Sequence, residues 1–201
     1  ANRVAGQVLS QYVDIQDNQE ILYVLLAVCG HEVDSITDIR VKDQPYTYFQ
    51  GVTVETRLGT LNQEAIAGFE NVPLQKEVSS KLQYNSAVTR TTDGTLVEAL
   101  KFIVTAPNGM YYSNDSGGLS TRSATFTIEY KNSADSEWIL HDTITISGKT
   151  NEAIRKIYEI EDLVSGQYDM RLTRTSADDS NFRTTTDLYW MYWHEIIKEE
   201  F

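Results

Sequence analysis

Residues 147–150 read Ser-Gly-Lys-Thr and match the end of the P-loop motif, which holds nucleotide phosphates. A P-loop also needs a glycine five positions before its last glycine, so that backbone N–H groups can wrap around the phosphates. The residue at that position is Thr143, which falls within a predicted strand. The sequence therefore predicts a turn between strands here, and we expect no nucleotide or other cofactor.

The three histidines, His31, His141 and His194, are widely separated in the sequence. Metal binding or catalysis would require them to converge with other groups in the fold. His141 and His194 fall in predicted strands, where a packed or solvent-facing ring is the simpler interpretation. The oxygen-rich segment 114–118 lacks the spacing and the terminal glutamate of an EF-hand loop, so we interpret it as a flexible turn. We expect no metal site.

Cys29, the single cysteine, ends the apolar run 21–29, so we expect it to be a buried, small apolar residue. We do not expect a reactive thiol, because no base is placed to activate it. One cysteine forms no internal disulfide, so nothing requires an oxidising compartment. The 29 Asp and Glu residues leave a glycosidase-like carboxylate pair as an open alternative, but no spacing singles out two of them. The sequence predicts no catalytic residues and no enzyme.

Aromatic side chains are densest at 189–193, which reads Tyr-Trp-Met-Tyr-Trp. In a regular strand, Trp190 and Tyr192 would face one side, and Tyr189 and Trp193 the other. A strand with two bulky apolar faces is either sandwiched between layers or meets another surface. We favour core packing, and the alternative is a partner interface formed by Trp190, Tyr192 and Trp193.

Tyr111 and Tyr112 are further interface candidates. They lie in segment 106–120, which contains Pro-Asn-Gly and Asn-Asp-Ser-Gly-Gly and is predicted to be a long exposed loop. Exposed tyrosine rings at this position could stack on sugars.

Alternation of apolar and polar residues predicts six strands in the second half of the chain, at 96–105, 121–130, 138–146, 153–160, 168–175 and 188–197. Segment 153–160 also fits a helical face, and we choose a strand because its neighbours are strands. Tyr168 follows a Leu and a Gly at a predicted sheet corner, where its hydroxyl can bond back to the backbone. This size and strand number indicate an antiparallel β-sandwich of the fibronectin or immunoglobulin type.

The chain is expected to have three parts. Residues 1–20 are polar without clear periodicity and are expected to be poorly structured. Residues 21–93 form a smaller β-rich segment and a connection, with strands around Ile39 and at 52–58, and an Asp-Gly turn at 93–94 of the kind common in hairpins. Residues 94–201 form the sandwich domain.

The net charge is −12, from 29 acidic and 17 basic residues, and no basic stripe is present. This argues against direct nucleic-acid binding. The apolar run 21–29 is far shorter than the roughly 20 residues of a membrane-spanning helix, so no transmembrane segment is expected. The chain does not begin with Met, and we expect an excised or processed piece.

Several short segments occur in one colinear order across residues 21–200, at 51–54, 59–63, 68–69, 89–91, 144–150, 170–174, 188–190 and 195–197. In this order the chain resembles the N-terminal hub region of the tail tip attachment protein J family, the host-specificity proteins of lambda-like siphophages. In that family the Gly-Lys-Thr at 148–150 is a turn.

The resemblance implies a structural protein of a phage or prophage tail tip, acting in tail assembly and host attachment. It implies contacts with other tail-tip proteins and with copies of itself, as a trimer in the full-length hub. It also implies a place in the virion tail tip after synthesis in the bacterial cytoplasm. An acidic surface would suit a channel past which DNA slides. The alternative is a fibronectin-like surface module that recognises a carbohydrate or a protein.

Overall fold

The computed structural model describes residues 3–69 and 72–197. It confirms a mainly β, antiparallel fold, and no α-helix occurs within those residues. One 3-10 turn spans Tyr46–Tyr48. The strands, in chain order, are β1 (Gln7–Gln16), β2 (Gln19–Ala27), β3 (Arg40–Val41), β4 (Gln44–Pro45), β5 (Val72–Lys81), β6 (Ala87–Thr91), β7 (Ala99–Ala106), β8 (Tyr111–Ser113), β9 (Leu119–Ser120), β10 (Arg122–Asn132), β11 (Ile139–Gly148), β12 (Ile154–Ile160), β13 (Tyr168–Arg174), β14 (Thr184–Thr185) and β15 (Tyr189–Ile197).

The chain divides into two compact units. The first comprises Ala1–Gln11 and Tyr23–Asn71, and the second comprises Tyr12–Leu22 and Val72–Phe201. The hairpin of β1 and β2 therefore contributes its tip to the second unit.

Two four-stranded antiparallel sheets form the sandwich of the second unit. One has the order β11-β10-β13-β6 and the other β12-β7-β15-β5. Their facing sides bury alternate residues, as in β10, where Ala124, Phe126 and Ile128 are inaccessible while the residues between them are partly exposed. This period of two places the core between the sheets, as the alternation in the sequence predicts.

Two uncertain local predictions are settled by backbone and side-chain bonds. Segment 153–160 is a strand, because β12 pairs with β7 along Ile154–Ile160. The corner at Tyr168 forms as predicted: its hydroxyl donates a hydrogen bond to the carbonyl oxygen of Val164 at 2.5 Å. That bond ties the turn before β13 to the start of the strand.

The sandwich begins earlier in the sequence than expected. Strands β5 and β6 lie in the segment 21–93 that is predicted to precede the sandwich, but they pair with β15 and β13, respectively. Residues 93–94 consequently connect strands of different sheets and do not close a hairpin. Strand β1 also lies in segment 1–20, which was expected to be poorly structured. Its pairing with β2 uses backbone groups, so the polar side chains of this segment do not prevent it.

The tip of the hairpin lies against the outer face of the second sheet. Asp17 and Asn18 have φ angles of 49° and 64°, the left-handed values of a two-residue hairpin turn. The Asn18 side chain donates to the carbonyl oxygen of Ala153 at 2.8 Å and accepts the N–H of Arg155 at 2.6 Å. These bonds fix the tip to the start of β12.

The first unit has little regular structure. Lys42 and Asp43, with φ angles of 49° and 66°, form the turn between β3 and β4. Of the two strands predicted here, only Arg40–Val41 forms, and none is found among the described residues at 52–58. The prediction at 52–58 was wrong because alternating valines favour an extended chain, whereas a strand also needs a neighbour to pair its backbone.

Candidate interaction surfaces

His141 and His194 lie in different sheets of the sandwich. In the part of the chain that the structure describes, no group of three or more His, Cys, Asp or Glu side chains is placed to hold a metal ion. His31 is exposed, and His141 lies on the exposed side of β11, with its ring 6.3 Å from that of Tyr130. His194 lies in β15, on the other sheet.

The P-loop-like segment 147–150 lies at the end of β11 and in the connection to β12, where a turn between strands is predicted. These two strands belong to different sheets. A side chain at Gly148 would place its Cβ 2.7 Å from Ile154 Cδ1 and 3.1 Å from Met110 Cβ. The N–H of Thr150 donates to the carbonyl oxygen of Met110 at 3.2 Å. Close packing therefore accounts for the glycine at this position. The backbone N–H of Thr150 bonds to another backbone group, as in a structural turn.

Cys29 is exposed, so the prediction that it is buried was wrong. It lies just beyond β2, which pairs with β1 in a two-stranded sheet. A two-stranded ribbon offers no covering layer to the residue that follows it. Its Sγ donates to the carbonyl oxygen of His31 at 3.2 Å.

The aromatic residues of β15 are placed by a β-bulge at Met191. Trp190 pairs with Val104 and Trp193 with Phe102, so both indoles lie on one face, contrary to the prediction from regular alternation. Trp190 is fully buried and Trp193 is 3% exposed, both within the core. As interface candidates Trp190 and Trp193 are therefore inaccessible, and the core packing that we favoured is what the structure shows. Tyr192 is half-buried.

His194, on the outer face of the same sheet, is covered by the hairpin tip. It is 1% exposed, and the ring of Tyr12 packs edge-on against it with centroids 5.8 Å apart. Its Nε2 has no hydrogen-bond partner among the described residues. Burial, together with the nearby charge of Lys101, lowers the pKa of His194 to about 4, although Asp14 opposes this shift. The neutral imidazole therefore acts as an apolar spacer between the sheet and the hairpin.

Two buried charges, neither of which sequence reasoning singled out, hold loops to the sandwich. The Glu195 carboxylate is inaccessible and accepts the N–H groups of Asp93 at 2.9 Å and Gly94 at 2.7 Å. Arg174, 1% exposed, donates to the carbonyl oxygen of Thr186 at 2.9 Å. It also pairs with Asp178 at 3.1 Å. The sequence signal that could have found them is a charged residue at a core-facing position of a strand. A buried charge needs a full set of hydrogen-bond or ion-pair partners, so such a residue is expected to hold other segments.

The outer face of the first sheet carries a network of paired charges. Arg171 donates two hydrogen bonds, of 2.9 and 2.8 Å, to the carboxylate of Glu129. Lys131 and Asp169 form a second pair at 3.0 Å. The Arg171 guanidinium also lies over the ring of Trp138, 4.3 Å from its centroid. These pairings hold side chains of neighbouring strands to one another.

The loop at 106–120 is more ordered than predicted. Tyr111 and Tyr112 lie in β8, which pairs with β9 and β14, and both are half-buried, so the prediction of a long exposed loop was wrong for these two residues. Met110, just before them, is fully buried and anchors the segment in the core. An open cavity of about 390 Å³ adjoins β8, lined by Tyr111, Ser113, Asn114, Asp115, Phe182 and Arg183.

The described side chains of the first unit are at most partly buried. None of its described residues, 3–11 and 23–69, is buried. Large apolar side chains are correspondingly accessible: Val24 and Leu26, on one face of β2, are 40% and 50% exposed. Tyr48 is 74% exposed and Leu61 98%. Val24 and Leu26 are neighbours on one face of β2, and an exposed row of apolar side chains is a surface that another protein can cover.

None of the described residues forms a helix with the length and apolar character that a bilayer crossing requires.

The chain is similar to one protein family and to a phage protein of the same description. The family model described as tip attachment protein J, FNIII-A domain, matches residues 73–199. The tip attachment protein J of Escherichia phage SECphi4 is 28% identical over 152 residues, which are 74% of this chain and 13% of that protein. This chain thus spans about an eighth of the length of that relative.

Among solved structures, this chain is similar to a family GH115 4-O-methyl-alpha-glucuronidase with specificity for decorated arabinogalactans. The alignment covers 74% of this chain and 20% of the glucuronidase chain. Its TM-score of 0.31 and sequence identity of 9% are too low to indicate a shared fold. The family match covers more than half of the chain and coincides with the sandwich. The chain therefore belongs to the family of the FNIII-A domain of tip attachment protein J.

Proposed function

We propose that this chain is a structural module of the central hub of a phage or prophage tail tip. It acts in tail assembly and host attachment through protein–protein interfaces and performs no catalysis. The observation that carries the proposal is the first unit, whose described residues include exposed Val, Leu and Tyr side chains and no buried residue.

A unit of this kind needs a source of free energy to stay folded. Ordering one residue of backbone costs about 1–2 kcal/mol, and burial of apolar surface is the main term that offsets it. No described side chain of the first unit is fully buried, so we infer that part of this offset comes from a neighbour. The neighbours that we propose are other tail-tip proteins and copies of the same protein, arranged as a trimer in the full-length hub.

The family supports the same conclusion. The phage relative is a tip attachment protein several times longer than this chain. The net charge of −12 fits a hub through which DNA passes without being retained. We place the protein in the virion tail tip, after synthesis in the bacterial cytoplasm.

The proposal can be tested in the parent phage. A Val24→Lys/Leu26→Lys double substitution introduces charge on the exposed face of β2, where a covering partner would have to bury it. We expect tails to assemble poorly and the titre of infectious particles to fall at least tenfold. The matched control is Val164→Lys in the second unit, at a side chain that is 82% exposed.

Tail assembly is scored by electron microscopy of purified particles, and the solubility of the isolated chain is measured for each variant. The opposite outcome is that the double variant forms intact tails and gives the same titre of infectious particles as the Val164→Lys control. That result would show that no partner covers this face of β2. The proposed interface would then be wrong.

A further inference from the structure

The cavity beside β8 has the composition of a carbohydrate site. From Tyr111, Ser113, Asn114, Asp115, Phe182 and Arg183, we infer that it binds a neutral hexose- or hexosamine-containing glycan. Its volume of about 390 Å³ lies within the roughly 300–1,000 Å³ that small-molecule sites occupy.

Two aromatic rings supply the apolar part of the site. Phe182 is 91% exposed, an unusual position for a phenylalanine, and Tyr111 lines the same cavity from β8. The faces of aromatic rings carry partial negative charge, and they attract the weakly positive C–H groups on the flat side of a pyranose ring. An exposed phenylalanine costs the free protein apolar hydration, which such stacking would remove.

Polar groups beside the rings supply hydrogen bonds for hydroxyls. The carboxylate of Asp115 is 88% exposed even though it pairs with the Arg183 guanidinium, so it retains accessible acceptor positions. The hydroxyl of Ser113 can both donate and accept, and the Asn114 amide nitrogen is a donor. This mixture of donors and acceptors around an apolar face suits a polyol better than a purely apolar ligand.

The walls of the cavity are held in place before any ligand arrives. Asn114 Oδ1 accepts the N–H of Gly118 at 2.7 Å, which closes the loop after β8. The N–H of Ser113 donates to the carbonyl oxygen of Arg183 at 2.9 Å, joining that loop to the segment that carries Phe182. A preorganised site loses less entropy on binding, which matters for weakly bound ligands such as sugars.

Other ligand classes fit less well. The net charge of −12 disfavours nucleic acids and polyanionic glycans. An added peptide strand would need a free sheet edge, but β8 is paired on both sides, with β9 and with β14. A neutral glycan needs neither feature.

The experiment uses the whole 201-residue chain on a printed array of neutral, uronic-acid and sulfated oligosaccharides, with saturation-transfer NMR for each hit. The variants are Phe182→Ala and Tyr111→Ala, each checked for folding by circular dichroism. Tyr84→Ala is the matched control, because Tyr84 is 47% exposed and does not line the cavity. Phe182 is so exposed that its truncation should leave the fold intact.

We expect the wild-type chain to bind at least one neutral oligosaccharide. The Phe182→Ala substitution should weaken this binding roughly three- to tenfold, as loss of one ring contact does, while Tyr84→Ala leaves it unchanged. Any of three results would overturn the inference: no binding at millimolar sugar, binding restricted to acidic or sulfated glycans, or binding that both cavity variants retain at wild-type strength.

Discussion

The Glu195 carboxylate accepts the backbone N–H of Gly94 at 2.7 Å inside the sandwich, where the glutamate is inaccessible to solvent. The same carboxylate accepts the N–H of Asp93 at 2.9 Å. A strand of one sheet thus holds the loop through which the chain crosses from the other sheet. An Asp-Gly pair that looks like a hairpin turn in the sequence is here a docking point for a buried carboxylate.

A Glu195→Gln substitution tests this relationship. The amide keeps the shape of the side chain but offers only one acceptor oxygen, so one N–H donor would face another donor. We expect the free energy of unfolding to fall by about 2 kcal/mol, since hydrogen bonds to a buried charge are costly to break. Urea denaturation of the whole chain measures the change. The control is Glu137→Gln, at an exposed position. Equal stabilities of the two variants would contradict the assigned role.

The buried His194 predicts a pH dependence of stability. Because its pKa is about 4 in the folded chain and 6.5 otherwise, the unfolded chain binds one more proton between these values. Stability contributed by the neutral ring is therefore present above pH 6.5 and is lost as the pH falls toward 4. The expected loss attributable to this residue is roughly 3 kcal/mol, from the size of the pKa difference.

The groups that face His194 are Tyr12 and Asp14 from the hairpin and Lys101 from the neighbouring strand. A His194→Gln variant should show a shallower fall in melting temperature between pH 6.5 and 4.5 than the wild type. His141→Gln, at an exposed position in β11, should keep the wild-type slope. Parallel pH profiles for all three proteins would refute the prediction.

The tyrosine corner provides a third prediction. Removal of the hydroxyl in Tyr168→Phe deletes the bond to the carbonyl oxygen of Val164 and leaves the ring in place. We expect a loss of about 1 kcal/mol in the free energy of unfolding, the usual value for one neutral hydrogen bond. Tyr130→Phe on the adjacent strand serves as the comparison and should cost less. Thermal unfolding followed by circular dichroism is sufficient, and an unchanged midpoint for Tyr168→Phe would count against the corner.

Gly109 is the position where a side chain is least tolerable. Its φ angle is 72°, and an added Cβ would lie 2.0 Å from the carbonyl oxygen of Thr150. We expect Gly109→Ala to destabilise the sandwich by at least about 2 kcal/mol, through backbone strain and displacement of the bond between Thr150 and Met110. Gly30→Ala is the matched control, since no atom lies within 4 Å of its added Cβ. Comparable melting temperatures for the two variants would disprove this account.

Much of the sandwich follows from local patterns in the sequence. Strict alternation at Ala124, Phe126 and Ile128 identified β10 and its buried face, and the residues before Tyr168 identified the corner. The buried face of β10 depends on a period of two, and the corner depends on two residues four positions apart. Both are local features, so the sequence alone is enough to predict them. The resemblance to the tip attachment protein J family also came from short segments in order, and the family match confirms it.

Tertiary structure decided what lies next to each strand. A bulge at Met191 brings Trp190 and Trp193 to the same face, and no alternation in the sequence marks a single extra residue. Tyr12 covers His194 only because the hairpin folds back onto a sheet from which it is distant in the sequence. Cys29 is exposed because no layer covers the end of its two-stranded ribbon. A chain encodes the faces of its strands locally, whereas the layers that cover those faces come from remote segments, so only the assembled fold determines which faces are buried.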